Sequence, residues 1–318
     1  MSNGAFSRRG FLAGAGAAVA SAAFAKAVPD DAVDPNLTVF LSDIHIEGGE
    51  TEPHHQNALF AQTVEEVLKL RPRPARAVIF GDIARFFGRD ADYAAAKPLL
   101  AKLEAAMPVT FTTGNHDHRE AMGAAFPERK AASLVSGRFA YRVDLGGADL
   151  LLLDSLDETG GAGEANAGDG SLGAAQFEWL LEAAAAATRP FLVGSHHVPR
   201  EIPDFGRAAR GKLAAFENFA GWIHGHDHFW AKEAGIRGWS DTALQRRPFR
   251  IVSLPSTGYW GDIGFVTFRT FDGGAELRNV ERDFFFLNPL KPGEGRPKVW
   301  DRLVAENNGQ TVRFDFTT

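Results

Sequence analysis

Short apolar runs alternate with longer segments of helical spacing along most of this chain. Leu37-Thr38-Val39-Phe40-Leu41, Ala77-Val78-Ile79-Phe80 and Val109-Thr110-Phe111-Thr112 are four or five residues long and read as buried strands. Between them, residues 53–70 place Leu59, Phe60, Val64, Val67, Leu68 and Leu70 at helical intervals and stop before Pro72. Residues 90–106 predict a second helix, which Pro98 should bend or split. Two β runs, Phe139 to Val143 and Leu150 to Leu153, flank Gly146-Gly147 and predict a hairpin. Residues 157–171 have loop composition and residues 173–187 are amphipathic. Residues 190–194 and 219–223 are further strands with a helical stretch, 207–217, between them; segments 249–254, 264–271 and 275–286 are strand-like. Residues 288–318 hold two Pro-rich patches and a short β-like run. The alternation predicts an α/β fold with a buried sheet, and the late strands predict a second, more antiparallel one.

Nearly every early run ends on a polar cluster. Asp43 and His45 follow the first, Asp82 the second, Asn115 and His116 the third. His196 follows the run at 190–194, and His226 and His228 the run at 219–223. Open α/β sheets collect ligands beyond the carboxyl ends of their strands, where all five clusters fall. Residues two apart in a strand point to one side, so Asp43 with His45, and His226 with His228 where strand geometry persists, can bind one ion together. A carboxylate has two oxygens, so Asp82 can bridge two ions. The donors are all hard or intermediate. His197, His224 and His118 are expected in supporting positions, and His54 and His55 in solvent. Arg85, Arg119 and Arg200 are expected as surface charges, and Tyr259 and Trp260 as a pocket floor or as core.

Composition narrows the picture. The 318 residues are 45% hydrophobic with 26 Phe, ample for a folded core. There is no Cys, which excludes disulfides, thiolate ligands and a Cys nucleophile. The net charge is −6, and the first 27 residues hold three cations and no acid, so the rest is more acidic still. Such a surface disfavours duplex nucleic acid but not a small phosphorylated substrate at a local metal centre. At the N-terminus, Ser7-Arg8-Arg9-Gly10-Phe11-Leu12 precedes an apolar run too short for a confident membrane anchor and ending in Ala-x-Ala patterns. It resembles a twin-arginine export signal. That implies a signal peptide at 1–27, engagement of the twin-arginine export machinery, a periplasmic or secreted product and no stable membrane span after cleavage. Residues 28–36 read as a linker, 37–287 as the domain and 288–318 as a tail without an assigned role.

In order, the chain carries Asp43-Ile44-His45, Gly81-Asp82, Gly114-Asn115-His116-Asp117, His196 and Gly225-His226-Asp227-His228. This set resembles the calcineurin-like metallophosphoesterase family. Asp154-Ser155, Gly170-x-Leu172 and Gln176-x-x-Trp179-Leu180 also resemble its cyclic-nucleotide phosphodiesterase-like branch. The resemblance implies a four-layer αββα sandwich of two mixed β-sheets flanked by helices, with a binuclear metal centre at the C-terminal ends of the strands. It gives one ion Asp43, His45, Asp82 and His228 and the other Asp82, Asn115, His196 and His226, the metals being Mn, Fe or Zn. It sets His116 at the substrate, and Asp117 would then orient His116. The implied activity is hydrolysis of a phosphate ester by metal-bridged hydroxide, with a phosphodiester of nucleotide type expected. A phosphomonoesterase and a non-catalytic metal-dependent binding protein are the alternatives. The sequence departs from the family at Ile83-Ala84-Arg85-Phe86-Phe87, where small polar residues are usual, and at Val198, where proline is frequent. Neither change touches a ligand.

Overall fold

The structure, a computed structural model, describes residues 33–49, 55–158, 169–230, 250–285 and 295–316. The proposed signal at 1–27 and most of the loop at 157–171 lie outside them. The chain runs β1 (Val33–Leu41), α1 (His55–Lys69), β2 (Arg73–Ile79), α2 (Asp90–Glu104), β3 (Val109–Phe111), α3 (Arg119–Ala125) and α4 (Pro127–Ala132). It continues through β4 (Tyr141–Asp144), β5 (Asp149–Leu152), α5 (Gly173–Ala185), β6 (Phe191–Ser195), α6 (Arg207–Leu213), β7 (Phe219–His224) and β8 (Arg250–Ser253). It closes with β9 (Gly261–Phe271), β10 (Gly274–Phe285), α7 (Lys298–Asn307) and β11 (Thr311–Asp315).

Two mixed sheets result, flanked by helices. One has the order β11-β10-β9-β1-β2-β3 and the other β4-β5-β6-β7-β8. β1, β2 and β3 are parallel, as are β5 to β8, so their carboxyl ends gather at one end of the molecule. The period of two sorts each apolar run into two cores. Leu150, Leu152, Leu192 and Ile223 face the first sheet with Phe40, Phe80 and Phe268. Their neighbours Leu151, Leu153, Phe191, Val193 and Trp222 join Leu180 and Ala184 of α5 and Leu213 of α6 on the outer side. A strand buried on both faces is apolar throughout, which is why these runs show no alternation.

Four expectations change. The late hairpin joins the first sheet rather than the second: β9 pairs antiparallel with β1, covering the edge that β2 leaves open. Pro98 does not split α2; it is exposed, so the carbonyl its ring leaves unpaired faces water. Val33 and Asp34, expected in the linker, already pair with Arg73 and Pro74, ahead of a register shift before Thr38. In the tail, α7 packs on β10 and β11 extends the sheet, burying Val312 and Phe314. Among the described residues no helix is long and apolar enough to cross a membrane.

Candidate metal centre

All seven expected ligands lie beyond the carboxyl ends of β1, β2, β3, β6 and β7 and converge on one spot. On one side, Asp43, His45, Asp82 and His228 offer atoms within 4.8 Å of one another. His45 Nε2 lies 3.2 Å from His228 Nε2 and 3.5 Å from Asp82 Oδ2, and His228 Nε2 lies 3.2 Å from Asp43 Oδ1. On the other side, Asn115 Oδ1 is 2.9 Å from both His196 Nε2 and His226 Nδ1. The two halves meet at one atom: Asp82 Oδ2 is also 3.3 Å from His196 Nε2. The second carboxylate oxygen, Oδ1, accepts the His116 backbone N–H at 2.9 Å.

The ring nitrogens are committed in advance. A carbonyl only accepts, so His45 Nδ1 donates to Arg85 O (3.2 Å), His196 Nδ1 to Phe80 O (2.8 Å) and His228 Nδ1 to Trp260 O (3.0 Å). Each bond orients its ring so that Nε2 points into the centre. His226 is reversed: its Nδ1 faces inward and its Nε2 lies 3.9 Å from Glu201 Oε2. A cation about 2.1 Å from nitrogen or oxygen donors spaces them roughly 3.0–3.4 Å apart. Neighbouring donors here lie 2.9–3.5 Å apart, close to that spacing, and the buried Asp82 Oδ2 has only the ring nitrogens of His45 and His196 beside it. The residues present therefore fit divalent cations.

Backbone conformation delivers these side chains. Asp43 (φ 52°), His45 (φ 47°), Asp82 (φ 51°), His226 (φ 69°) and His228 (φ 60°) are all left-handed without being glycine. Each such residue costs on the order of 1–3 kcal/mol and persists only where its surroundings hold it. The expected strand geometry thus does not persist past β1 or β7, and His226 and His228 serve opposite halves. Close approach needs Gly114, since a Cβ there would strike Asp82 Oδ1.

The charges follow from burial and neighbours. Burial alone would raise the Asp43 carboxyl, but the His228 imidazole beside it holds it well below the usual range. Asp82 is likewise held low against burial, chiefly by His196 and His116. Burial disfavours a charged His196, yet the Asp82 carboxylate wins and lifts it to about 9. His45 falls to about 3 and His226 to about 4, each mainly through burial. Without a cation, the cluster holds the Asp43 and Asp82 carboxylates and the His196 imidazolium in the interior.

The neighbouring residues divide. His116 is half-buried, with Nδ1 on Phe86 O (3.1 Å). Asp117 does not orient it. Its carboxylate accepts from the backbone N–H of Ile83, Ala84 and Gly114 and from Tyr93 O–H, tying the second ligand loop to the third. Burial and the nearby Asp82 push Asp117 up to about 7. His197 is buried against Ser155 Oγ (2.9 Å), His224 bonds Gly225 O, and His118 stands at the N-cap position of α3 without a side-chain cap bond. Arg119 is no surface charge: its guanidinium grips buried Asp154 through two 2.8 Å bonds. Arg85 is half-buried and paired with Glu47, and exposed Arg200 with Glu201. Gln176 clamps the Asp154 backbone from both sides (2.9 and 2.7 Å), so these residues act as scaffold. Glu201 and Tyr93 carried no signal in the sequence, because neither lies in a polar cluster at a strand end.

A family model for calcineurin-like phosphoesterases matches residues 37–229. No curated protein matches the sequence. Solved structures similar to this one include a single-mutant Vps29 from Entamoeba histolytica, at 10% identity and TM-score 0.40, covering 88% of this chain and 99% of that one. Vps29 from Chaetomium thermophilum aligns at 10% identity and TM-score 0.37, covering 88% and 99%. A conserved uncharacterized protein from Streptococcus pneumoniae, described as a predicted phosphoesterase, aligns at 11% identity and TM-score 0.34, covering 77% and 89%.

Proposed function

Because the chain belongs to the calcineurin-like phosphoesterase family, we propose that it is an exported phosphoesterase that hydrolyses phosphodiesters of nucleotide type with two divalent ions of Mn, Fe or Zn. The observation that carries the two-ion reading is Asp82 Oδ2. It is buried and stands between the ring nitrogens of His45 and His196, with three donor residues on either side. Asp43, His45, Asp82 and His228 would hold one ion, and Asp82, Asn115, His196 and His226 the other. Bound there, such ions supply charge neutralisation at phosphorus and an acidified water.

The protein's own groups do the rest. With Nδ1–H held on Phe86 O, His116 would act as the imidazolium: its Nε2 proton passes to the departing ester oxygen and leaves the neutral Nδ1–H tautomer behind. Its backbone N–H fixes Asp82 so that only Oδ2 faces the donors. Asp117 and Tyr93 hold the loops that carry Asp82 and Asn115 in register. The substrate is a small phosphorylated molecule, not duplex nucleic acid, in keeping with the acidic chain.

The test is activity of chelated protein reloaded with Mn²⁺, on bis(p-nitrophenyl) phosphate and on p-nitrophenyl phosphate. Diester turnover well above an Asp82→Ala control is expected. Turnover of the monoester alone would replace the diester reading, and turnover of neither would leave a metal-dependent binding protein. Export is tested by locating the protein in cell fractions. Replacing Arg8 and Arg9 with lysine should retain it uncleaved in the cytoplasm; unchanged export would refute the twin-arginine route.

A further inference from the structure

The metal centre is walled on one side by aromatic rings that no ligand role requires. Tyr259 lies 4.6 Å from the His45 ring, centroid to centroid. Phe86 lies 5.8 Å from His116 and 6.2 Å from Tyr259, and Phe87 lies 6.1 Å from Phe86. Phe87 is 38% exposed, and it is the one large hydrophobic among the described exposed ones that borders the site. The wall is held in place. Thr257 bonds Ser42 O through its N–H and its hydroxyl, and Ser256 Oγ bonds Asp43 O, so the turn bearing Tyr259 is tied to the first ligand loop. The Arg85 guanidinium sits 4.6 Å from the Phe86 ring and 5.6 Å from Tyr259, with its charge met by Glu47.

The charges around the centre point the same way. Arg119 is spent on Asp154 and Glu158, Arg138 lies against Asp154, and Arg200 pairs with Glu201. Arg89 stands at the outer end of the wall, its guanidinium 5.1 Å from the Phe87 ring. The Phe86 carbonyl sets the His116 tautomer while its ring flanks the same imidazole. An ester group leaving beside His116 would therefore leave across that ring.

Resting on the phosphoesterase reading above, we propose that Phe86, Phe87 and Tyr259 form the subsite for the organic part of the substrate. They select a phosphate ester whose organic group carries a planar aromatic ring over polyol esters. Ring contact needs flat apolar area, and the wall offers it.

The test reads binding apart from turnover. Calorimetry on the Mn²⁺-loaded protein compares phenylphosphonate with methylphosphonate, each variant serving as its own reference. The native protein should favour the phenyl compound about tenfold, the gain from covering one ring face. In Phe86→Ala/Phe87→Ala that preference should fall towards one. Phe87→Ala alone, at a partly exposed position, keeps the test open if the double variant does not fold, and should lose about threefold. No phenyl preference in the native protein, or one undiminished in the variants, overturns the subsite and leaves the phosphoesterase reading standing. Phenyl preference without hydrolysis of any ester overturns that reading and leaves the subsite. A nucleoside 5′-methylphosphonate as a third ligand distinguishes the ring's source: a similar gain seats a nucleobase on the wall, and none restricts the site to aryl esters.

Discussion

The half of the centre built on Asp43, His45 and His228 and the half built on Asn115, His196 and His226 meet at one oxygen of Asp82 and differ in almost everything else. The first has a carboxylate of its own, imidazoles held by backbone carbonyls, and ligands that are all buried. Its outer wall is aromatic. The second has an amide in place of that carboxylate, an imidazole protonated up to about 9, and a His226 side chain 23% exposed. Its outer wall is polar, with Glu201 behind His226 and His197 beside it. A cation entering the first half meets the Asp43 carboxylate and the lone pair of neutral His45. A cation entering the second must first displace a proton. The difference teaches that one site is ready and the other is conditional, and four experiments probe it.

The largest effect is expected from Asp82→Ala, which removes the shared oxygen and should break both halves at once. Activity should fall at least about 10³-fold, with metal content dropping from two equivalents to one or none by elemental analysis. His226→Ala, by contrast, should lose only the second equivalent. Retention of two equivalents by Asp82→Ala would refute a shared ligand.

The next effect is on pH. His196 binds its proton more tightly in the fold than free. Its contribution to metal-free stability is therefore present below about pH 6.5 and is lost as pH rises through 9. A cation competes with that proton, so affinity at the second half should climb about tenfold per unit across this window and level off above it. His45, neutral above about 3, predicts no such slope for the first half. Metal titrations at pH 6.5, 8 and 9.5 check this, and parallel slopes would erase the distinction.

Glu201→Gln should weaken binding at the second half by about 10–100-fold and spare the first. Sequential metal titration separates the two steps, and an equal loss at both would show that Glu201 acts through the fold. The smallest effect is reserved for Tyr93→Phe, which takes a hydroxyl from Asp117 and from the His118 N–H. Thermal unfolding should show about 1–3 kcal/mol lost, with the two halves affected alike.

What was legible beforehand follows the same division between local and distant effects. The strands and the positions of all seven candidate ligands could be read because each candidate sits in a polar cluster ending an apolar run, a local signal. The route by which they converge could not. Asp43 and His45 meet through left-handed backbone, not through the pleat of a strand. Asp117 looked like a partner for its neighbour His116, yet it bonds residues more than thirty positions away. The placement of β9 against β1 and the integration of α7 and β11 are likewise long-range pairings. Glu201 stood out in no pattern, since only the fold brings it to His226.

The position of β1 in its sheet bears on how the chain is made. β2, the parallel neighbour, follows after one helix, but the other neighbour, β9, begins at Gly261. At roughly 5–20 residues per second, a ribosome needs about 10–50 s to deliver it. For that time the Val39-Phe40-Leu41 strand presents an unpaired apolar edge to the cell. Truncations ending before β9 should therefore aggregate more readily than the full chain, as light scattering would show.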